Sequence, residues 1–319
     1  MPRPTLSLVI PCFNEEEVVP ELDRRLRLLL DTLGETWEVV FIDDGSKDKT
    51  LAMLEELAGS EPRYRILSFS RNFGHQFAIT AGVDHARGEA VVVMDADLQD
   101  PPEVVRDMIA RWRDGYDVVY GVRTKREGES LFKRVTAAMF YRTMRAMVGM
   151  DIPLDTGDFR LMGRKVVLAL RALKEVHRFV RGMVVWVGFK QTAVYYSRAG
   201  RFAGETKYPL RKMLKFALDG ITSFSIIPLR ISSFLGVLAG LGAVGLSAWA
   251  IYVRFFVKGV VQGWTSTMIL VALVSSAQLM MIGVLGEYVG RIYEQVKQRP
   301  PYLLGKTINL EPDDDDVDR

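Results

Sequence analysis

Residues 5–46 read TLSLVIPCFNEEEVVPELDRRLRLLLDTLGETWEVVFIDDGS. Two short β-branched runs, 7–11 and 38–43, flank a stretch in which Leu22, Leu26, Leu29, Leu30 and Leu33 recur at helical spacing before Gly34. Strand, single-striped helix and strand form the repeating unit of a parallel sheet with crossover helices. The alternation continues to residue 122, with further strands predicted at 65–69, 90–95 and 117–122. The expected fold class is α/β, a doubly wound and mainly parallel sheet.

The remainder of the chain has another character. Of 319 residues 49% are hydrophobic, and 42 Lys plus Arg face 39 Asp plus Glu for a net charge of +3. That balance excludes a disordered tail protein and a strongly basic nucleic-acid binder, so no nucleic-acid partner is expected. A mean hydropathy of +0.09 beside 25% charged residues suggests an average over two unlike parts. Cys12 is the only cysteine, which excludes an intrachain disulfide and a cysteine zinc cluster and fits a reducing compartment. Three histidines are too few for a histidine-rich metal site.

The apolar part lies at 232–253, SSFLGVLAGLGAVGLSAWAIYV, and 265–286, TSTMILVALVSSAQLMMIGVLG, each 22 residues without a charge. Either is long enough as a helix to cross a hydrocarbon core of about 30 Å, and the short connection makes the pair a transmembrane hairpin. The early apolar run 6–10 is too short for a signal-peptide core, so residues 1–230 are expected to stay in the cytoplasm. Arg211, Lys212, Lys215, Arg230, Arg291, Lys297 and Arg299 flank the hairpin, against Arg254 and Lys258 in its turn. This asymmetry sets both chain ends on the cytoplasmic side of the inner membrane. Gly240, Gly242 and Gly245 match the spacing of a dinucleotide fingerprint, but they sit mid-span rather than after a strand. With Gly236 they supply small residues for close helix packing instead. Apolar positions 210, 213, 214, 217, 218 and 221, with Arg211, Lys212 and Lys215 opposite, describe an interfacial amphipathic helix within 208–230. The acidic run 311–318 is expected to be solvated and disordered.

Ligands of doubly wound sheets sit at the carboxyl ends of the strands. There the sequence is polar and acidic: Asn14, Glu15 and Glu16 after the first strand, Asp43 to Ser46 after the second, Asp95 to Pro102 after the fourth. Asp95 and Asp97 flank one small residue and could share a cation at a strand end, with Gln99 adding an amide oxygen. Such hard ligands suit Mg²⁺ or Mn²⁺. There is no P-loop, so a diphosphate would be held through that cation. Asp43 and Asp44 could accept hydrogen bonds from a base or ribose.

Seven stretches together resemble a known family. IPCFNEE at 10–16, DDGS at 43–46, RNFG at 71–74 and DADLQDPP at 95–102 resemble family 2 glycosyltransferases with a GT-A fold. DTGDFRLM at 155–162, GETKY at 204–208 and GEYVGRIY at 286–293 narrow the resemblance to polyprenyl-phosphate glycosyltransferases. Within these it is nearest the bactoprenol glucosyltransferases, and also similar to dolichol-phosphate mannose synthases. It extends over about residues 5–300. The resemblance implies a catalytic domain over 1–207, interfacial helices over 208–230, the hairpin within 231–290 and a cytoplasmic tail over 291–319. It implies a nucleotide pocket lined by Pro11, Phe13, Asn14, Glu15, Asp43, Asp44 and Asp95, with Arg71 and Asn72 near its rim. Asp95, Asp97 and Gln99 would hold the cation. Arg123 would meet the acceptor phosphate, with Arg126, Lys133, Arg134, Arg201 and Lys207 as further candidates.

The reaction so implied is inverting, single transfer of a sugar from a nucleotide-sugar donor, UDP-glucose first, to a polyprenyl phosphate lipid. Alternatives are GDP-mannose or a UDP-aminosugar as donor, or a membrane-anchored nucleotide-sugar binder without activity. Processive relatives carry Gln-x-x-Arg-Trp, and the nearest piece here, Arg178-Phe-Val-Arg181-Gly, lacks it. Asp158 is open to three roles: catalytic base, partner of sugar hydroxyls or of Arg160, and buried structural carboxylate. His75 and His177 are not assigned to catalysis. Glycine-lined spans and the resemblance together suggest a homo-oligomer, with a tetramer as the expectation.

Overall fold

The computed structural model describes residues 3–124, 156–176, 178–197, 225–256 and 263–310. The chain divides into two compact units, one of residues 1–215 with 300–319 and one of residues 216–299.

The first unit is built on one eight-stranded sheet. In chain order its elements are β1 (Leu6–Cys12), α1 (Val19–Leu30), β2 (Trp37–Asp43), α2 (Thr50–Ser60), β3 (Tyr64–Phe69), α3 (His75–His85), β4 (Ala90–Val93), a 3₁₀ turn (Pro102–Val104), α4 (Val105–Arg113), β5 (Val118–Arg123), β6 (Thr156–Gly163), α5 (Arg164–Ala172), α6 (Val180–Trp186), β7 (Gln191–Tyr196) and, after the second unit, β8 (Leu304–Ile308). The spatial order is β7-β5-β6-β4-β1-β2-β3-β8. The pairs β1 with β2, β1 with β4, β2 with β3 and β5 with β7 are parallel. Only β6, inserted between β4 and β5, and β8, on the β3 edge, run against the rest. This is the doubly wound, mainly parallel sheet expected from the sequence, and the five predicted strands correspond to β1–β5 within two residues at each end.

β1 reads LSLVIPC and is buried throughout, as a central parallel strand covered on both faces must be. Leu22, Leu26, Leu29 and Leu30 form the buried stripe of α1, which ends before Leu33. The sheet interior also holds an ion pair. Glu38 accepts from Arg65 Nη1 at 2.9 Å and from Ser7 Oγ at 2.6 Å, so the charge is hydrogen-bonded from both neighbouring strands.

The second unit contains α7 (Ile227–Phe256) and α8 (Trp264–Val296). Both are long and apolar enough to cross a membrane, with candidate spans Ile227–Trp249 and Leu273–Val296 and none of either span buried. Exposed Phe234, Leu241, Val244, Leu279 and Ile282 are side chains that water would not solvate favourably. The expected spans 232–253 and 265–286 lie within these two helices. The interfacial helix expected within 208–230 falls outside the described residues up to 224, as does the acidic run 311–318.

Candidate active site

The carboxyl ends of β1, β2, β3 and β4 meet at one side of the sheet because these strands are parallel. The loops after β1 and β2 are zipped together by hydrogen bonds: Asn14 N donates to Ser46 Oγ at 3.0 Å, Lys47 N to Asn14 Oδ1 at 2.8 Å and Glu15 N to Thr50 Oγ1 at 2.8 Å. Asn14 takes a positive φ of 54°, which Asn tolerates better than most residues. Phe13 is exposed beside it, whereas Pro11 is buried within β1.

Asp43 and Asp44, expected to accept hydrogen bonds from a base or ribose, already accept several from within the protein. Asp43 is 1% exposed and accepts from Ser68 Oγ at 2.9 Å and Ser46 N at 3.1 Å. Asp44 is 3% exposed and accepts from Asn72 Nδ2 at 3.0 Å, Phe73 N at 2.7 Å and Gly74 N at 3.0 Å. Burial raises the Asp44 pKa, and the Phe73 and Gly74 amides oppose that rise. A buried carboxylate must find donors, and the nearest are those of the neighbouring loops. These two aspartates therefore tie the loop after β2 to β3 and to the loop that follows it. Gly45, at φ +68°, lets the two loops touch, since a Cβ there would lie 2.5 Å from the Arg71 carbonyl carbon. Arg71 lies over the Phe73 ring at 4.0 Å, and Arg71 and Asn72 are both exposed.

After β4 the chain bears Asp95, Asp97, Gln99 and Asp100. The Asp95 side chain keeps 31% of its surface, yet its Oδ1 is fully shielded and has no hydrogen-bond partner. Burial pushes its pKa up to about 6, with His75 opposing and Asp158, Asp100 and Asp97 adding to the rise. Asp97 Oδ1 accepts from Gln99 N at 3.1 Å, and between them Leu98 adopts φ 55° with its side chain buried. A non-glycine residue in that region carries strain, and strained backbone of this kind gathers at functional sites. Among the described residues no three of His, Cys, Asp and Glu form a metal-binding group. The donor set here is the Asp95–Asp97 pair with the Gln99 amide. A carboxylate oxygen without a hydrogen bond, faced by His75 at 3.5 Å and set among three further acidic groups, is nevertheless an environment that a divalent cation would relieve, so these residues fit one.

Asp158 stands near the start of β6. Because β6 runs against its neighbours, its first residues lie at the carboxyl ends of β4 and β5. Asp158 is 5% exposed and receives Arg181 as a fork, Nε to Oδ1 at 2.8 Å and Nη2 to Oδ2 at 3.0 Å. His75 Nε2 lies 3.3 Å from Asp158 Oδ2 and 3.5 Å from Asp95 Oδ1, joining the two carboxylates. Burial would raise the Asp158 pKa, but the Arg181 charge and the His75 hydrogen bond outweigh it and hold the carboxyl well below its usual range. For His75, burial works against the imidazolium, while the Asp158 hydrogen bond and the Asp95 and Asp158 charges raise its pKa. Arg160 does not hydrogen-bond Asp158. Its Nη2 donates to Gly157 O at 2.9 Å, its Nε has no partner, and burial brings its pKa down to about 10.

Arg123, the last residue of β5, reaches Asp100 at 3.3 Å through Nη2 and Tyr196 Oη at 3.4 Å through Nε. Arg126, Lys133, Arg134, Arg201 and Lys207 lie outside the described residues, as does His177. His75, Arg181, Asp100 and Tyr196 join this site without being among the residues expected there. His75 directly follows Arg71-Asn72-Phe73-Gly74 and Arg181 closes Arg178-Phe-Val-Arg181, but neither stretch says which carboxylate its residue meets.

The profile described as "Glycosyl transferase family 2" matches residues 7–171. The chain is 52% identical over 306 residues to "Uncharacterized glycosyltransferase YkcC" of Bacillus subtilis (strain 168), covering 96% of this chain and 94% of that one. It is 41% identical over 299 residues to "Prophage bactoprenol glucosyl transferase homolog" of Escherichia coli (strain K12), covering 94% and 98%. Among solved structures it is similar to the mannosyltransferase PcManGT of Pyrobaculum calidifontis in complex with GDP-Man and Mn²⁺, at TM-score 0.47 and 16% identity, covering 93% of this chain and 86% of that one. By the profile match and the identities to its relatives, the chain belongs to glycosyl transferase family 2 and is a glycosyltransferase.

Proposed function

We propose that the protein transfers one glucose from UDP-glucose to a polyprenyl phosphate at the cytoplasmic face of the membrane. The observation that carries this reading is the meeting, at one edge of the sheet, of an acidic pair with an arginine fixed one loop away, in a chain that also has two helices long enough to span a bilayer. The relative in Escherichia coli whose name includes bactoprenol glucosyl transferase supports the choice of sugar and acceptor.

In the reaction, the anomeric carbon–oxygen bond to the diphosphate breaks as a phosphate oxygen of the lipid bonds to that carbon from the opposite side. The products are the inverted lipid-phosphate sugar and UDP. A phosphate monoester, with a second pKa of about 6, is already largely dianionic at neutral pH and needs positioning more than deprotonation. Arg123 supplies this with a planar fork matched to two phosphate oxygens. Asp95 and Asp97, with Gln99, would hold Mg²⁺ or Mn²⁺, which when bound screens the charge gathering on the departing diphosphate. Asp158, kept ionised by Arg181 and His75, accepts hydrogen bonds from sugar hydroxyls. Asn14, Glu15 and Phe13, with the Arg71–Asn72 rim, enclose the nucleotide.

The test is a donor panel. Full-length protein in detergent is given polyprenyl phosphate, Mn²⁺ and radiolabelled UDP-glucose, GDP-mannose or a UDP-aminosugar, and lipid products are separated by thin-layer chromatography. Labelled lipid from UDP-glucose is expected, with Asp97→Asn slowing it about a hundredfold. Transfer only to water-soluble acceptors would overturn the acceptor assignment. Full metal-dependent activity in Asp97→Asn would overturn the cation site.

A further inference from the structure

Arg123 is held more elaborately than a surface arginine needs to be. Asp100, 1% exposed, takes Arg123 Nη2 at 3.4 and 3.3 Å on its two oxygens and also accepts the Tyr196 hydroxyl proton. Tyr196 in turn meets Arg123 Nε at 3.4 Å, which closes a triangle of three side chains from β5, β7 and the loop after β4. Space is cleared for it on both sides. A Cβ at Gly157 would lie 2.7 Å from Arg123 Nη2, and one at Gly121 would lie 2.7 Å from the Tyr196 ring. The ring itself stands edge-on to Phe159, with centroids 5.7 Å apart and planes at 89°. The backbone joins the same junction, as Thr124 N donates to Tyr196 O at 2.9 Å.

A buried carboxylate that spends its acceptors on one guanidinium and one phenol fixes the direction of both. Left alone, an arginine at a strand end would sample many rotamers, and ordering it on binding would cost affinity. Arg123 retains 22% of its side-chain surface, so part of the group remains open to a ligand while the rest is tied. Asp100 belongs to the same loop as Asp95, Asp97 and Gln99.

We infer that Asp100 and Tyr196 are positioning residues that aim Arg123 at the acceptor phosphate and tie acceptor recognition to the loop carrying Asp95 and Asp97. This rests on the reading of Arg123 as the acceptor-phosphate arginine. Neither residue touches substrate; both act through the guanidinium.

The test uses the full-length protein in detergent. Binding of a short-chain prenyl phosphate is measured by calorimetry without donor, and KM for acceptor and donor is measured in the transfer assay. Tyr196→Phe removes one oxygen and keeps the ring in its notch, and Asp100→Asn is isosteric. Each is expected to weaken prenyl-phosphate binding and raise acceptor KM about tenfold, the scale of one lost hydrogen bond to a charged group, while donor KM moves much less. In an Arg123→Ala background, Asp100→Asn is expected to add nothing further, because its target is gone. Equal rises in both KM values, or additive losses in the double variant, would overturn the positioning role. If Arg123→Ala alone leaves prenyl-phosphate binding unchanged, the assignment of Arg123 to the acceptor falls instead.

Discussion

Asp158 is where single-residue chemistry is most decisive. Its oxygens are engaged by the Arg181 fork and by His75, and its pKa is held well below the usual carboxylate range. A group so weakly basic is a poor proton acceptor at neutral pH but a durable anion for hydroxyl donors. Removing the fork should therefore be felt in stability with a definite sign. The unfolded carboxyl titrates near about 3.9, so the stability due to its depressed folded pKa is complete above that value and lost as pH falls through the folded one. Arg181→Gln should cost about 3 kcal/mol at neutral pH, because it leaves a buried charge with one partner fewer. Thermal melts across pH should show the wild-type advantage constant near pH 7 and shrinking through the carboxylate range; an advantage that grows on acidification would refute the assignment. A second residue-scale prediction concerns the rim. Gly45→Ala introduces a Cβ 2.5 Å from the Arg71 backbone at φ +68°, so the two loops must part. Donor KM should rise several-fold while acceptor KM stays near wild type in the transfer assay.

At the scale of elements, the edge strand β8 shows what holds the sheet beyond its parallel core. Ser70 N donates to Leu303 O at 2.9 Å, Tyr302 stacks on Phe69 with centroids 5.1 Å apart, and Asn309 Nδ2 donates to Ala58 O at 3.0 Å and Tyr64 O at 2.9 Å. Asn309→Ala leaves those carbonyls without this donor and should destabilise the first unit by about 1–3 kcal/mol, read as a lower melting temperature with kcat unchanged. No sequence pattern announced this strand. LGKTI has no clean alternation, and its partner β3 lies more than two hundred residues earlier. By contrast, β1 to β5 were legible because each is a β-branched run followed by a helical stripe or a turn, and the acidic loops were legible because a parallel sheet gathers its strand ends. β6 was not. Its TGDFRLM stretch interleaves polar and apolar residues, and its insertion between β4 and β5 depends on pairing that local periodicity does not encode. The partners of Asp158 and Arg123 were hidden for the same reason. Arg181 and His75 reach Asp158 from 23 and 83 residues away, and Asp100 meets Arg123 across 23.

At the scale of the whole molecule, the path of the chain constrains how it can sit in a membrane. β8 follows both apolar helices yet pairs with β3, which precedes them, in one sheet. A chain that leaves a sheet and returns to it must cross a bilayer an even number of times, and α7 and α8 provide two helices long enough to do so. On the proposal that the excess of Lys and Arg outside the hairpin over Arg254 and Lys258 within its turn sets the orientation, the sheet would lie in the cytoplasm and the turn on the far side. Cys12, the only cysteine, is buried, and burial first, then the Glu15 and Asp43 charges, raises its pKa well above the usual thiol value. A thiol so shielded is slow to react, which gives a silent background for labelling. In intact cells, Lys258→Cys should react with a membrane-impermeant maleimide, whereas Arg3→Cys should react only after the membrane is opened. Labelling of Arg3→Cys together with protection of Lys258→Cys in intact cells would reverse the orientation, and protection of both would mean that the helices do not cross. Labelling of both without permeabilisation would mean that the helices do not cross at all.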